Sequence, residues 1–229
     1  MKTKLTKAIA RKVLSVVDAG LVNGVGSPIP GKMCVEAAVC FALGEPHGDK
    51  PTCVGAVVRR YKININDGPW SSDKARTAGL RRVAIAQLGS DQIDQKEFSK
   101  LVSLGVIQKI LPIILRDCAK AIPAHANKLE ASAVACEAAK TLDAASYAAS
   151  YAARAARAAS AESYAASDAA SAASDAASAA SYAASAASYA ASAARADKIL
   201  SLAAEIAVQA LITLKTEGSK WLDICKVAA

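Results

Sequence analysis

The stretch from Ala124 to Glu217 contains 94 residues without a glycine or a proline, and much of it is built from Ala-Ala-Ser units. Alanine has the highest helix propensity, whereas glycine and proline are the residues that most often end or break a helix. The stretch therefore predicts either one very long helix or two helices joined by a tight polar turn. No other feature of the sequence restricts the fold so strongly.

The repeat within this stretch favours one continuous helix. From Asp143 to Arg195 the non-alanine positions recur at alternating intervals of three and four residues, which averages close to 3.5. This spacing places Ser, Tyr, Asp and Arg on one stripe and leaves a broad alanine face. A period near 3.5 is typical of a left-handed supercoil, so we expect self-association into a homo-oligomer. A solvated single helix is the simpler alternative.

Five tyrosines lie on the polar stripe: Tyr147, Tyr151, Tyr164, Tyr182 and Tyr189. Their rings could stack on nucleobases or on the rings of a ligand, or they could act as spacers between packed helices.

The remainder of the chain predicts an all-α fold. Apolar residues at helical spacing alternate with loops rich in glycine and proline, and no segment alternates apolar and polar residues for long. We expect three parts: a basic helical domain at 1–125, the Ala/Ser-rich repeat helix at 126–217, and a short C-terminal segment at 218–229 containing Trp221. Neither the N-terminus nor the last apolar run has the pattern of a secretory signal or a membrane span. A cytoplasmic location without membrane binding is therefore expected.

Positive charge is concentrated in the first part of the chain. Of the net charge of +8, residues 1–125 contribute 19 Lys and Arg against 10 Asp and Glu. Such an excess points to an anionic partner, a ligand or nucleic acid, since basic groups bind phosphates without regard to sequence. A solvated helix face is the alternative. The candidate binding residues form two clusters: Arg59, Arg60 and Lys62, then Lys74, Arg76, Arg81 and Arg82.

A second group of residues could support cysteine chemistry. Cys34 precedes an apolar helix, whose dipole can lower a thiol pKa, while His47 could act as its base and Asp49 could orient the imidazole. The apolar surroundings of Cys34 favour a core thiol instead, and His125 is another candidate base. A zinc site at Cys34, Cys40, His47 and Cys53 is disfavoured, because the intervals lack paired ligand spacing. No metal and no cofactor are therefore expected.

The motif Pro-Gly-Lys-Met-Cys-Val-Glu-Ala-Ala-Val-Cys-Phe-Ala-Leu-Gly at 30–44, followed by Pro-His-Gly-Asp and an Ala-Ala-x repeat, resembles a group of uncharacterised bacterial and phage proteins. The resemblance covers most of the chain and implies a bacterial or phage origin, but no activity. Together these patterns favour a non-enzymatic, self-associating helical protein whose basic head binds an anionic ligand or nucleic acid. The alternative is a hydrolase or transferase with Cys34 as nucleophile and His47 as base.

Overall fold

The computed structural model describes residues 4–160 and 193–226, and it confirms the all-α class. These residues contain nine α-helices and no strand. We number the helices in chain order: α1 (Lys7–Asp18), α2 (Val35–Leu43), α3 (Ala56–Asn66), α4 (Asp73–Ala86), α5 (Gln95–Lys109), α6 (Leu111–Ala121), α7 (Ala126–Ala138), α8 (Leu142–Ser160) and α9 (Ala193–Thr213). Short 3₁₀ turns lie at Ser90–Gln92, Pro123–His125 and Gly218–Cys225.

Several helix boundaries follow from local sequence signals. The side chains of Thr6 and Ser72 accept hydrogen bonds from the backbone N–H groups of Ile9 and Ala75, which caps the N-termini of α1 and α4. Cys34 caps α2 in the same way through its sulfur. At the other end of α2, Gly44 adopts the left-handed conformation with φ of 73°, as a C-terminal glycine commonly does.

The chain divides into two compact units. Unit 1 comprises residues 1–98 and 204–229, and unit 2 comprises residues 99–203. The core of unit 1 contains large apolar side chains from many segments, among them Leu21, Met33, Ile65, Leu80 and Phe98. Its C-terminal part is joined by long-range hydrogen bonds, since Thr216 donates to the carbonyl of Ala86 and the N–H of Gly218 donates to that of Leu88.

This division corrects the predicted boundary at residue 125. The sequence assigned residues 126–217 to a separate repeat helix, but residues from Ala204 onward belong to unit 1. The reason is that the end of α9 carries larger apolar side chains than the repeat, including Ile206, Val208 and Leu211, and all three are buried. The turn Gly218–Cys225, which contains Trp221, packs against α4 within unit 1.

Helices α7 and α8 exclude one unbroken helix from residue 126 to residue 217, but the break lies before the repeat of 143–195, for which one continuous helix was favoured. The chain leaves helical geometry at Ala139, whose ψ is 119°, and α8 begins only after Thr141 caps it by accepting from the N–H of Ala144. Helix α7 packs against both α6 and α8. The alanine face of α8 is buried at Ala145, Ala148, Ala149, Ala152 and Ala153, while Tyr147 and Tyr151 are 70% and 51% exposed. The repeat positions between 161 and 192, including Tyr164, Tyr182 and Tyr189, lie outside the described residues.

Helices α5 and α6 also contain the one described stretch, Gln95–Lys120, that is long and apolar enough to cross a membrane. Half of that stretch is buried within the protein, and the core helix of a soluble protein has the same length and composition.

Candidate functional site

A fully buried ion pair joins α2 and α3 in the core of unit 1. The Nζ atom of Lys62 lies 2.8 Å from Oε1 of Glu36, and both side chains have no solvent exposure. The distance is that of an ion pair, but the angles are not those of a hydrogen bond, and Oε2 of Glu36 has no hydrogen-bond partner within the described residues. Buried charges normally have all their hydrogen bonds satisfied, so the pair is an exception that calls for an explanation.

The sequence places the pair where water cannot reach it. Helix α2, Val-Glu-Ala-Ala-Val-Cys-Phe-Ala-Leu, is buried at seven of its nine positions, and Glu36 is its only charged residue. Glu36 lies in the first turn of α2, where the helix dipole stabilises a negative charge. Lys62 lies among the buried residues of α3, next to Tyr61 and near Val58 and Ile65. Two otherwise apolar helix faces therefore bring the opposite charges together.

Burial shifts the pKa values of the two groups in opposite directions. Removal from water raises the pKa of Glu36 and lowers that of Lys62, because each shift favours the neutral form of its group. The charge of each partner opposes the shift of the other. Perturbed pKa values of this kind are common at functional sites.

A cavity of about 70 Å³ lies against Glu36. Its lining includes three acidic residues, Glu36, Asp49 and Asp67, together with Cys34 and Asn66, and with Gly24 and Val25 of the loop before α2. Asp67 is exposed, whereas Glu36 is fully buried, so the lining combines a residue at the surface with one from the core. No lysine or arginine contributes to its walls.

Hydrogen bonds hold the loop that forms this wall. The N–H of Gly24 donates to Oδ1 of Asp67 at 2.8 Å, and Nδ2 of Asn66 donates both to that oxygen and to the carbonyl of Val22. Oδ1 of Asn66 accepts from the N–H of Val35 at 3.3 Å. The C-terminal end of α3 is thereby connected to the loop and to the start of α2, which fixes the shape of the cavity.

The predicted catalytic residues are near one another in the fold but are not joined by hydrogen bonds. The sulfur of Cys34 accepts from the N–H of Ala37, Nε2 of His47 lies 3.0 Å from the carbonyl oxygen of Gly26, and Asp49 faces Arg59 at 3.7 Å. Burial raises the pKa of the Cys34 thiol, although the backbone hydrogen bonds at the helix terminus oppose this. A cysteine nucleophile requires a lowered pKa or an adjacent base, and the described contacts provide neither.

The predicted anion-binding residues are distributed over very different environments. Lys62 is buried against Glu36, and the guanidinium of Arg76 is buried, donating to the carbonyl of Asn66 and to Asp73. Arg81 pairs with Asp18, Arg82 with Glu205, and Arg59 with Asp49. Only Arg60 and Lys74 are exposed without a described ion-pair partner. Lys62 and Arg76 cannot contact a large anion without unfolding of their surroundings, which corrects their predicted role.

Sequence reasoning missed Glu36, Asn66 and Asp67. The signal for Glu36 was present, because an acidic residue inside a uniformly apolar helix must be buried and needs a cation nearby. The partner could not be read from the sequence, since Lys62 is 26 residues away and its side of α3 is set by tertiary packing. Four residues that the sequence did single out, Cys34, Asp49, Arg59 and Lys62, surround the missed glutamate.

Within the described residues, no group of three or more His, Cys, Asp or Glu side chains could hold a metal ion. No protein-family model matches the chain, and neither a curated protein nor a solved structure is significantly similar to it. The resemblance to bacterial and phage repeat proteins stays a prediction.

Proposed function

We propose that unit 1 is a non-enzymatic binding module that accepts a small cationic hydrogen-bond donor, an ammonium or primary amine group, in the cavity at Glu36. The observation that carries this proposal is that Glu36 lines the cavity while its buried Oε2 atom has no hydrogen-bond partner within the described residues. A buried acceptor without a donor costs about 1–3 kcal/mol, more if charged. A ligand N–H group would remove this cost.

The charges around the cavity favour a donor over an anion. Lys62 and Arg59 lie behind Glu36 and Asp49, so their charges stabilise the carboxylates without entering the cavity. Asp67 has no ion-pair partner within the described residues and stands at the exposed side. An entering ammonium group would meet Asp67 first and reach Glu36 at the buried end. The wall therefore supplies oxygen acceptors along the whole path.

The cavity volume limits the size of the bound group. A water molecule occupies about 30 Å³ of liquid, so about 70 Å³ holds a group of a few heavy atoms. Ammonium, methylammonium and ethylammonium fit this limit, and a larger ligand would insert only its amine.

Thermal unfolding tests the proposal. We would record the melting temperature with increasing ammonium, methylammonium, ethylammonium or tetramethylammonium chloride, keeping ionic strength constant with NaCl. A cation that binds only the folded state raises the free energy of unfolding by RT ln(1 + [L]/Kd), so the melting temperature rises with the logarithm of its concentration once that concentration exceeds Kd. We expect this increase for the cations with N–H donors and none for tetramethylammonium, which has no donor.

Two variants assign the effect to the cavity. Asp67→Asn and the double replacement Glu36→Leu/Lys62→Met should each reduce the stabilisation, and the double replacement should remove it. Glu130→Gln, which removes one exposed carboxylate from unit 2, serves as the matched control and should bind as the wild type does. Equal stabilisation by tetramethylammonium, or an unchanged response in the double variant, would refute the proposal.

The self-association predicted from the repeat stays a prediction, and it is supported by the two exposed tyrosines, Tyr147 and Tyr151, one turn apart on α8. Binding of nucleic acid by the basic head also stays a prediction, with Arg60 and Lys74 as its exposed residues.

A further inference from the structure

A second concave site in unit 1 lies away from the Glu36 cavity. It is a cleft of about 550 Å³, a size that is typical of small-molecule sites. Four segments form it: the chain before α1, the loop before α3, the turn after α4, and the turn after α9. Its lining includes Lys4, Leu5, Asp91, Leu214, Lys215 and Glu217.

Backbone contacts fix the walls of the cleft in position. The N–H groups of Gly89 and Asp91 both donate to the carbonyl of Cys53, which connects the turn after α4 to the loop before α3. Gly89 has a φ of 83°, and a side chain there would press against the backbone of Glu217. The cleft is therefore formed before any ligand binds, so little ordering is needed on binding.

Two lysine side chains of the cleft are available to a ligand. Lys4 and Lys215 are exposed, and neither side chain has an ion-pair or hydrogen-bond partner within the described residues. The two acidic side chains are already engaged, because Glu217 accepts from Nζ of Lys220 at 2.7 Å and Asp91 accepts from the amide of Gln92. The apolar side chains Leu5 and Leu214 lie between these polar groups.

The backbone at Lys215 is unfavourable for a residue with a side chain. Its φ is 56°, and it is the one non-glycine residue with a positive φ in the part of the chain described. The N–H of Thr216 donates to the carbonyl of Leu211, so Lys215 occupies the left-handed position of a Schellman motif that ends α9. Glycine is the usual residue at this position because it adopts the conformation without strain. The lysine at this position supplies an ammonium group to the cleft at a cost in stability.

From these observations we infer that the cleft binds a small organic anion, a carboxylate, sulfonate or phosphate ester with an apolar part. The ammonium groups of Lys4 and Lys215 contact the anionic group, and Leu5 and Leu214 cover the apolar part. Charge-assisted hydrogen bonds are the stronger class of hydrogen bond, so the two lysines provide most of the selectivity for anions. This site is independent of the amine site at Glu36.

The test uses 8-anilinonaphthalene-1-sulfonate, an apolar aromatic sulfonate whose fluorescence rises on binding. We expect saturable binding to the wild-type chain, and we expect Lys215→Gly to weaken it about tenfold, as the loss of one charged contact would. The same substitution should raise the melting temperature, because glycine relieves the backbone strain. Lys215→Gln separates the two effects, since it removes the charge but keeps the side chain. It should weaken binding without raising the melting temperature.

Lys4→Gln should weaken binding to a similar extent. Lys12→Gln is the matched control, because Lys12 is an exposed lysine of unit 1 that does not border the cleft. Unchanged affinity in Lys215→Gly and Lys215→Gln, or an equal loss in Lys12→Gln, would overturn the inference. A lower melting temperature for Lys215→Gly would overturn the part of it that rests on backbone strain.

Discussion

Each of the two units contains a prominent group of paired charges, buried in unit 1 and exposed in unit 2. In unit 1, Glu36 and Lys62 are fully buried and, within the described residues, have each other as their only charged contact within hydrogen-bond distance. In unit 2, Arg116 binds Glu130 at 3.0 Å and Glu137 through both guanidinium nitrogens, and all three side chains remain between one-third and one-half exposed. The exposed cluster has the better hydrogen-bond geometry, but water competes for its groups. Burial, and not the number of contacts, therefore decides which ion pair matters for stability.

Breaking the buried pair should have the largest effect. Lys62→Met leaves the Glu36 carboxylate uncompensated in the core, which should lower the free energy of unfolding by about 3–5 kcal/mol. Tryptophan fluorescence during urea unfolding measures this directly, because Trp70 and Trp221, the two tryptophans of the chain, both belong to unit 1.

The double replacement Glu36→Leu/Lys62→Met is the control for this experiment. It removes both charges while keeping apolar volume, so its stability should equal or exceed that of the wild type, by up to about 4 kcal/mol. A double variant as unstable as the single one would mean that shape, not charge, determines the cost. In that case the comparison between buried and exposed pairs would lose its physical basis.

The cores of the units differ as well, and a substitution in α8 should have the next largest effect. Ala149 is fully buried on the alanine face, where close packing leaves no room for a larger side chain. Ala149→Leu should lower the free energy of unfolding by about 1–3 kcal/mol through overpacking. Amide hydrogen exchange of α8 provides the measurement, because unit 2 contains no tryptophan.

Ala144→Leu is the matched control, since Ala144 lies on the exposed side of the same helix and leucine has nearly the helix propensity of alanine. Its exchange should remain close to that of the wild type. If Ala149→Leu were equally neutral, the alanine face would not be tightly packed within unit 2. The predicted supercoil, in which this alanine face packs against a second copy of the chain, would then be favoured.

The helical class and several helix ends could be predicted because they depend on local signals. Ser72 as a cap and Gly44 as a stop act within one turn of the residues that they affect. The break at Ala139 could not be predicted in the same way, because no glycine or proline marks it. It depends on the cap at Thr141 and on a tertiary hydrogen bond from Gln108 to the carbonyl of Ala139. A purely local reading of alanine propensity therefore extends the helix too far.

The candidate site was predictable only in part, for a related reason. Residue type identified Cys34, Asp49, Arg59 and Lys62 as chemically notable, but their roles depend on which side chains face one another. Lys62 follows Arg59 and Arg60 in the sequence and has the same charge. The two side chains lie on different sides of α3, so Arg60 is exposed and Lys62 is buried. Clusters of like charge in a sequence therefore do not define a common surface.

The smallest effect should come from the exposed cluster of unit 2. Hydrogen bonds from Arg116 hold the pKa of Glu137 below its ordinary value of 4.5. A carboxylate with a lowered pKa in the folded state contributes stability above its unfolded pKa, and that contribution disappears as the pH falls through the folded pKa. Glu137→Gln should therefore lower the melting temperature slightly at pH 7 and have no effect at a pH below the pKa of the folded state.

Salt provides the second arm of this experiment. The pair is solvent-exposed, and at 1 M ionic strength the Debye length falls to about 3 Å, so 1 M NaCl should reduce the difference between Glu137→Gln and the wild type at pH 7. The Lys62→Met variant should retain its large deficit at the same salt concentration, because ions do not enter the core. If the lower melting temperature of Glu137→Gln persisted both at low pH and in 1 M NaCl, the ion pair of Glu137 would be as insensitive to solvent as that of Glu36. The contrast between the two units would then be wrong.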